Sequence, residues 1–241
     1  MPSLADLKVK IFADGADLDA IRALRANPVI KGFTTNPTLM RAAGIDDYET
    51  FSKQVIDVVE GAPLSLEVFA DDLDEMVAQA RVIAGWGENV FVKIPVTNTK
   101  GESCAPIIKR LSGEGVQVNV TAVFSLEQVQ TVTDALNSDV AANVSVFAGR
   151  IADTGVDPVP HMRESVKIVG AKPKAELIWA SPRELLNLFH ADQAGCQIIT
   201  VTADILKKLA LIGKDLDAYS LETVEMFRRD AVSAQYSIKT S

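Results

Sequence analysis

Eight short runs rich in Val, Ile, Leu and Phe recur along the chain, at 9–14, 30–36, 64–69, 90–96, 116–124, 142–148, 175–181 and 197–202. Each has the length and β-branched content of a buried strand. Between them lie stretches such as 17–26, 72–85, 103–113, 125–138 and 182–194. There apolar residues return every three or four positions behind an opening Asp, Ser or Pro, the pattern of a core-facing helix. Strands that pair in parallel need such crossovers, so the alternation predicts an α/β fold, a (β/α)8 TIM barrel. An open doubly wound sheet alternates in the same way, but no Gly-rich GxGxxG or GxxxxGK[ST] turn follows any of the runs.

After the eighth run, residues 203–212 read as the last barrel helix. The chain then continues over 216–241 with Ser220 as the expected N-cap and with Leu221, Val224, Phe227, Val232 and Tyr236 loosely periodic. A barrel closed by eight units does not need this segment, which is therefore expected to cover either the barrel or a neighbouring subunit. The expected organisation is one domain over residues 1–241, with the barrel over 9–212 and a C-terminal helical extension over 216–241.

A length of 241 residues suits the single large core of an α/β barrel. The 32 acidic and 24 basic side chains leave a net charge of -8, and no basic run interrupts the sequence. The footprint for nucleic acid or an anionic membrane is therefore missing, and neither is an expected partner. No stretch approaches the apolar length of a membrane span, and MPSLADLKVKIFAD lacks a signal-peptide core, so the expected location is the cytoplasm. Cys104 and Cys196 have no paired spacing and read as reduced thiols. His161 and His190 lie in different βα units, which leaves no metal site in the pattern. The Asn-X-Ser/Thr matches at Asn119 and Asn143 fall inside strands and are set aside.

In a TIM barrel the chemistry collects at the C-terminal ends of the strands. Polar residues late in the apolar runs are Asp14, then Thr34, Thr35 and Asn36, then Glu67, Lys93, Asn119, Thr121, Ser145 and Ser181. Lys93 carries the most information, because VFVKIPV sets an amine between apolar neighbours, where burial disfavours its charged form. A neutral amine adds to carbonyl carbon. Asp14 and Glu67, from two other strands, would enter the same mouth as proton-transfer groups. Taken singly, these residues allow plainer roles: Lys93 and Glu67 as a buried ion pair, Asp14 as a turn cap, and Asp71, Asp72 and Asp74 as a helix N-terminus. Arg150 and Arg183 follow the sixth and seventh runs, near the usual phosphate site of barrels, and either grip an anion together or pair with surface carboxylates.

In order, GFTTNPTLM, SLEVF, VFVKIPVT, QVNVTAVFS, VSVFAGRI and WASPRE resemble the motifs of transaldolase and its small relatives, and IITVTADIL in the eighth run adds support. The resemblance implies a class I aldolase barrel with no metal or organic cofactor. In it Lys93 forms a Schiff base with a ketose donor, Asp14 takes the proton from the hydroxyl whose carbon becomes the aldehyde, and Glu67 and Thr121 position a water. Thr34, Asn36, Asn119 and Ser145 would surround the dihydroxyacetone unit, and Arg150, Ser181 and Arg183 would meet the phosphate. The fructose 6-phosphate aldolases of this family typically carry Gln where Glu67 stands and Tyr where Phe147 stands, so both positions resemble transaldolase instead. A phenol there could protonate the covalent enamine and release free dihydroxyacetone, whereas Phe147 has no proton to give.

Three positions depart from the family pattern. Gly15 follows Asp14 where Thr is common, Phe33 precedes TTNP where a smaller residue is usual, and Pro182 separates Ser181 from Arg183. They bear on the acceptor and the anion end rather than on the lysine. The expected activity is transfer of dihydroxyacetone from fructose 6-phosphate or sedoheptulose 7-phosphate to an aldose phosphate such as erythrose 4-phosphate, as in the pentose phosphate pathway. The alternatives are an aldolase that releases dihydroxyacetone, a transaldolase for another anionic ketose such as a sulfonated sugar, and a silent sugar-phosphate-binding barrel. Short members of the family form ring-based assemblies, so the resemblance also implies a homo-oligomer, pentamer or decamer, with the C-terminal helix reaching a neighbour.

Overall fold

Runs this apolar fold as parallel strands because a barrel wall buries both faces, one toward the interior and one toward the helices. A computed structural model describes residues 3–240. In chain order its elements are β1 (Lys10–Asp14), α1 (Leu18–Arg25), β2 (Ile30–Thr34), α2 (Pro37–Ala42), α3 (Tyr48–Val59), β3 (Leu64–Glu67), α4 (Leu73–Ala84), β4 (Val90–Pro95) and α5 (Ala105–Gly113). They continue as β5 (Val118–Val123), α6 (Leu126–Ala135), β6 (Ala142–Val146), α7 (Ala148–Asp153), α8 (Pro158–Val169), β7 (Ala175–Trp179), α9 (Leu186–Ala194), β8 (Ile198–Thr202), α10 (Ala203–Lys207) and α11 (Leu216–Ser233). Strands pair in parallel with their neighbours in sequence, and β8 closes onto β1. The expected TIM barrel with a C-terminal helix is therefore the observed fold.

The expected runs overshoot the C-terminal ends of several strands by two residues, for one physical reason. There the chain leaves the sheet to start a loop or helix: Asn36 caps α2 through its side chain, Phe147 is the N-cap of α7, and Ser181 turns into the left-handed region at φ 58°. Asp17, Asp72 and Ser125 open α1, α4 and α6 by accepting backbone N–H bonds, as their sequence positions predict. Several helix starts or ends differ from expectation: Ser103 does not open α5, whose N-cap is Cys104, and α6 ends at Ala135 rather than at Ser138. Pro182 does not open a helix, since α9 begins at Leu186 and the Asn187 side chain instead receives the N–H of Arg183 at 2.8 Å. The last barrel helix stops at Lys207 and tightens into a 3-10 turn, Lys208–Leu211. Asp215, not Ser220, caps α11, because its carboxylate accepts the N–H of Ala218 at 2.9 Å while Ser220 lies inside the helix.

The backbone divides into two compact units, the barrel at residues 7–207 and a unit drawn from residues 3–6 and 208–240. Inside the barrel, Phe12, Ile178, Ala180 and Ile198 form an apolar floor against which Phe147 packs. Gly32 makes room for it, since a Cβ there would stand 2.6 Å from the Phe12 ring. Two residues further along β1 is Asp14, so the polar mouth rests directly on this floor. Cys104 and Cys196 are free and buried, and burial pushes their thiols up to about 11 and about 12. Among the described residues no helix is long and apolar enough to cross a membrane.

Candidate active site

Parallel register brings the polar strand ends together. Glu67 pairs with Lys93 across β3 and β4, Lys93 with Asn119 across β4 and β5, and Asp14 with Thr34 across β1 and β2. Of these, all but Glu67 line a cavity of about 160 Å³ at the C-terminal mouth of the barrel. Eleven of the twelve residues expected at the site line it: Asp14, Thr34, Asn36, Lys93, Asn119, Thr121, Ser145, Phe147, Arg150, Ser181 and Arg183. Glu67, the twelfth, meets the cavity through Lys93 instead.

Lys93 is 7% exposed. Its ammonium lies 3.0 Å from Glu67 Oε2 and donates to the Thr35 carbonyl at 3.0 Å. The plainer reading of Lys93 and Glu67 as an ion pair is thus the observed contact, and it sets a carboxylate within reach of a proton on the amine. Tyr48, from α3, fixes the strand end from outside by donating its hydroxyl to the Glu67 carbonyl at 2.7 Å.

Asp14 enters the mouth from the end of β1. Burial raises its carboxyl above the usual carboxylate range, Lys93 and the Thr34 hydroxyl pull it back, and Glu67 adds a smaller upward push. Thr34 donates to Asp14 Oδ1 at 2.7 Å. Asn119 is fixed at both ends of its amide, giving a hydrogen bond to Ser65 Oγ at 2.9 Å and taking one from Ser145 Oγ at 2.7 Å. Asn36 caps α2 by accepting the Leu39 N–H at 3.0 Å, which orients its amide at the rim. Beside Thr121 the ladder to β6 skips from Val120 to Val123, and Ala122 takes a left-handed φ of 57°. Such a bulge at a barrel rim re-aims the strand end.

The anion end is built by one close approach. A Cβ on Gly149 would meet the Ser181 carbonyl oxygen at 1.6 Å, so only glycine lets α7 start against the loop that carries Arg183. Arg150 lies over the Phe147 ring at 5.3 Å, and Phe147 in turn packs on Phe124 at 5.6 Å. Arg183 is held by Asp153: its Nε contacts both carboxylate oxygens, at 3.0 and 3.1 Å, and a terminal nitrogen makes a short bond to Oδ2. By sequence the two arginines fit an anion grip or surface ion pairs. Here Arg183 lines the cavity and carries a carboxylate partner at once.

Residues the sequence reading did not single out are Thr200 and Thr202 of β8, Ala180 and Asp153. Thr is an ordinary strand residue, so the two β8 hydroxyls carried no pattern signal. Asp153 had one, since it stands three residues after Arg150 on the same short helix.

Fold and site together define a TIM barrel whose mouth presents an amine, a carboxylate and two guanidiniums to one cavity. The family model for transaldolase/fructose-6-phosphate aldolase matches residues 11–239, and the chain belongs to that family. A probable transaldolase of Streptococcus equi subsp. zooepidemicus is 36% identical over 204 residues, covering 83% of this chain and 90% of the relative. One of Dehalococcoides mccartyi is 38% identical over 202 residues, with the same coverage. Among solved structures, a putative lyase/mutase from Burkholderia cenocepacia superposes with a TM-score of 0.59 at 15% identity, over 97% of this chain and 89% of its own. At that identity the likeness concerns the fold alone.

Proposed function

We propose that the chain is a transaldolase that moves a dihydroxyacetone unit between sugar phosphates through a Schiff base on Lys93. The observation that carries this reading is the meeting of Lys93 and Asp14, from β4 and β1, on one cavity that also holds two arginines. Lys93 Nζ adds to the C2 carbonyl of the ketose, and the carbinolamine loses water to give an iminium ion. Glu67, 3.0 Å from the amine, handles the proton of this step, with Thr121 placing the water. Asp14 then takes the proton of the C4 hydroxyl, the C3–C4 bond breaks, the aldose departs as an aldehyde, and the electron pair remains as the enamine. In the second half C3 of the enamine attacks the acceptor aldehyde, Asp14 returns its proton to the new hydroxyl, and water releases the product ketose.

Thr34, Asn36, Asn119 and Ser145 surround the three-carbon unit in this reading, and Arg150, Ser181 and Arg183 receive the phosphate. Phe147 supports transfer over release, since the cavity wall there offers the enamine no phenolic proton. The substrates we assign are fructose 6-phosphate as donor and erythrose 4-phosphate as acceptor, in cytoplasmic carbohydrate metabolism. We further propose a homo-oligomer in which α11 contacts a second subunit; in support, no residue of α11 is buried, and Leu216, Leu221, Val224, Phe227 and Val232 are exposed.

Acceptor dependence tests the reading. With both sugars, sedoheptulose 7-phosphate and glyceraldehyde 3-phosphate form in equal amounts. With fructose 6-phosphate alone, no more than one equivalent of glyceraldehyde 3-phosphate per site appears and dihydroxyacetone does not accumulate. Steady acceptor-free release of dihydroxyacetone would make the enzyme an aldolase.

A further inference from the structure

Asp14 has a second neighbour in depth. Its strand is flanked by β2 and β8, and the hydroxyls of Thr34 and Thr200, one from each flank, meet 2.5 Å apart inside the barrel. Both are buried, at 4% and 8% exposure. Thr34 has a single hydroxyl proton, and it is engaged by Asp14 Oδ1 at 2.7 Å. The hydrogen between the two threonines must then come from Thr200, which makes a directed chain from Thr200 through Thr34 to the carboxylate.

We infer that Thr200 is a positioning residue for the Asp14 carboxylate, acting through the Thr34 hydroxyl. The inference rests on the transaldolase reading for what Asp14 does, but the chain itself does not. A hydroxyl that accepts one hydrogen bond donates the next more strongly, and the gain is largest when the final acceptor is charged. When Asp14 takes a proton the chain can reverse: Asp14 donates to Thr34, and Thr34 to Thr200. The carboxyl then keeps one geometry in both protonation states, as a group that takes and returns the same proton requires. Apart from the chain, the groups acting on Asp14 are Lys93 from β4 and Glu67 from β3, while Thr202 adds a further hydroxyl at the rim of β8.

The test is the titration of Asp14 itself. Protein labelled with carboxyl-13C aspartate is compared with the same protein carrying Asp14→Asn, which identifies the Asp14 resonance, and its midpoint is followed in wild type, Thr200→Val, Thr200→Ala and Thr200→Ser. Valine keeps the shape of threonine and serine keeps the hydroxyl, while alanine serves should the valine protein fail to fold. The expected result is an upward shift of about half a pH unit in the Val or Ala protein, the indirect share of one neutral hydrogen bond, with the wild-type midpoint restored in the Ser protein. The acid limb of the transfer rate should move by the same amount. An unmoved midpoint in a folded Val or Ala protein overturns the inference, whatever the activity. A shifted midpoint in a protein without transfer activity would uphold the chain and remove the transaldolase reading.

Discussion

At the scale of single residues, the buried Asp14 carboxyl, the proton carrier of the proposed reaction, also weakens the fold. Burial raises its folded pKa above the ordinary 3.8, with Lys93 and Thr34 compensating in part. A carboxyl whose folded pKa is raised contributes stability that is fully present below its unfolded pKa and is lost as pH rises through the folded value. Asp14→Asn escapes that loss. Thermal unfolding should therefore show a higher Tm than wild type at pH 7, with the gap closing below about pH 4, while transfer activity falls by about 10²–10⁴-fold. Equal Tm values across the whole pH range would remove the desolvation argument. That these residues meet at one cavity was legible because each interrupts an apolar strand late in its course, as Lys93 does in VFVKIPV and Asp14 does in KIFAD. Thr200 was not, since a threonine in a strand needs no special explanation until a partner 2.5 Å away is known. Asp153 differs: its place three residues after Arg150 was a signal, but its partner Arg183 becomes visible only once the fold brings the two together.

At the scale of elements, the strand ends decide where the chemistry sits. Periodicity located every strand to within a few residues, but it could not see the backbone turning out of the sheet at Asn36, Phe147 and Ser181, because the turn is made by backbone dihedrals and cap bonds that residue type alone does not mark. The α11 cap shows the same limit: Ser220 and Asp215 are both good N-cap residues, and only the hydrogen bond to Ala218 chooses between them. The start of α7 offers the sharpest test at this scale. In Gly149→Ala the added Cβ meets the backbone oxygen of Ser181 at 1.6 Å, so helix and loop must separate, carrying Arg150 and Arg183 apart. Calorimetry should show a loss of about 1–3 kcal/mol, and the KM for a phosphorylated ketose should rise more than kcat falls. A variant with wild-type Tm and KM would contradict the close approach.

At the scale of the molecule, eight alternating units made the barrel legible, because parallel pairing and right-handed crossovers leave few ways to bury eight strands that are apolar on both faces. The C-terminal segment was legible as a helix but not in its role: its amphipathic pattern is loose, and its apolar residues are exposed within the chain. In the homo-oligomeric reading, removing residues 217–241 should lower the mass measured by light scattering while the barrel's circular dichroism persists. An unchanged mass would dispose of that reading. The proposed reaction stands on a covalent bond between Lys93 and the donor, and borohydride reduction in the presence of fructose 6-phosphate, followed by peptide mass spectrometry of wild type and Lys93→Ala, reads that bond without intermediate steps. In wild type the peptide carrying Lys93 should gain a reduced dihydroxyacetone unit, and the variant should gain none; a wild-type protein without the adduct, or the same adduct persisting in Lys93→Ala, would overturn the Schiff-base mechanism.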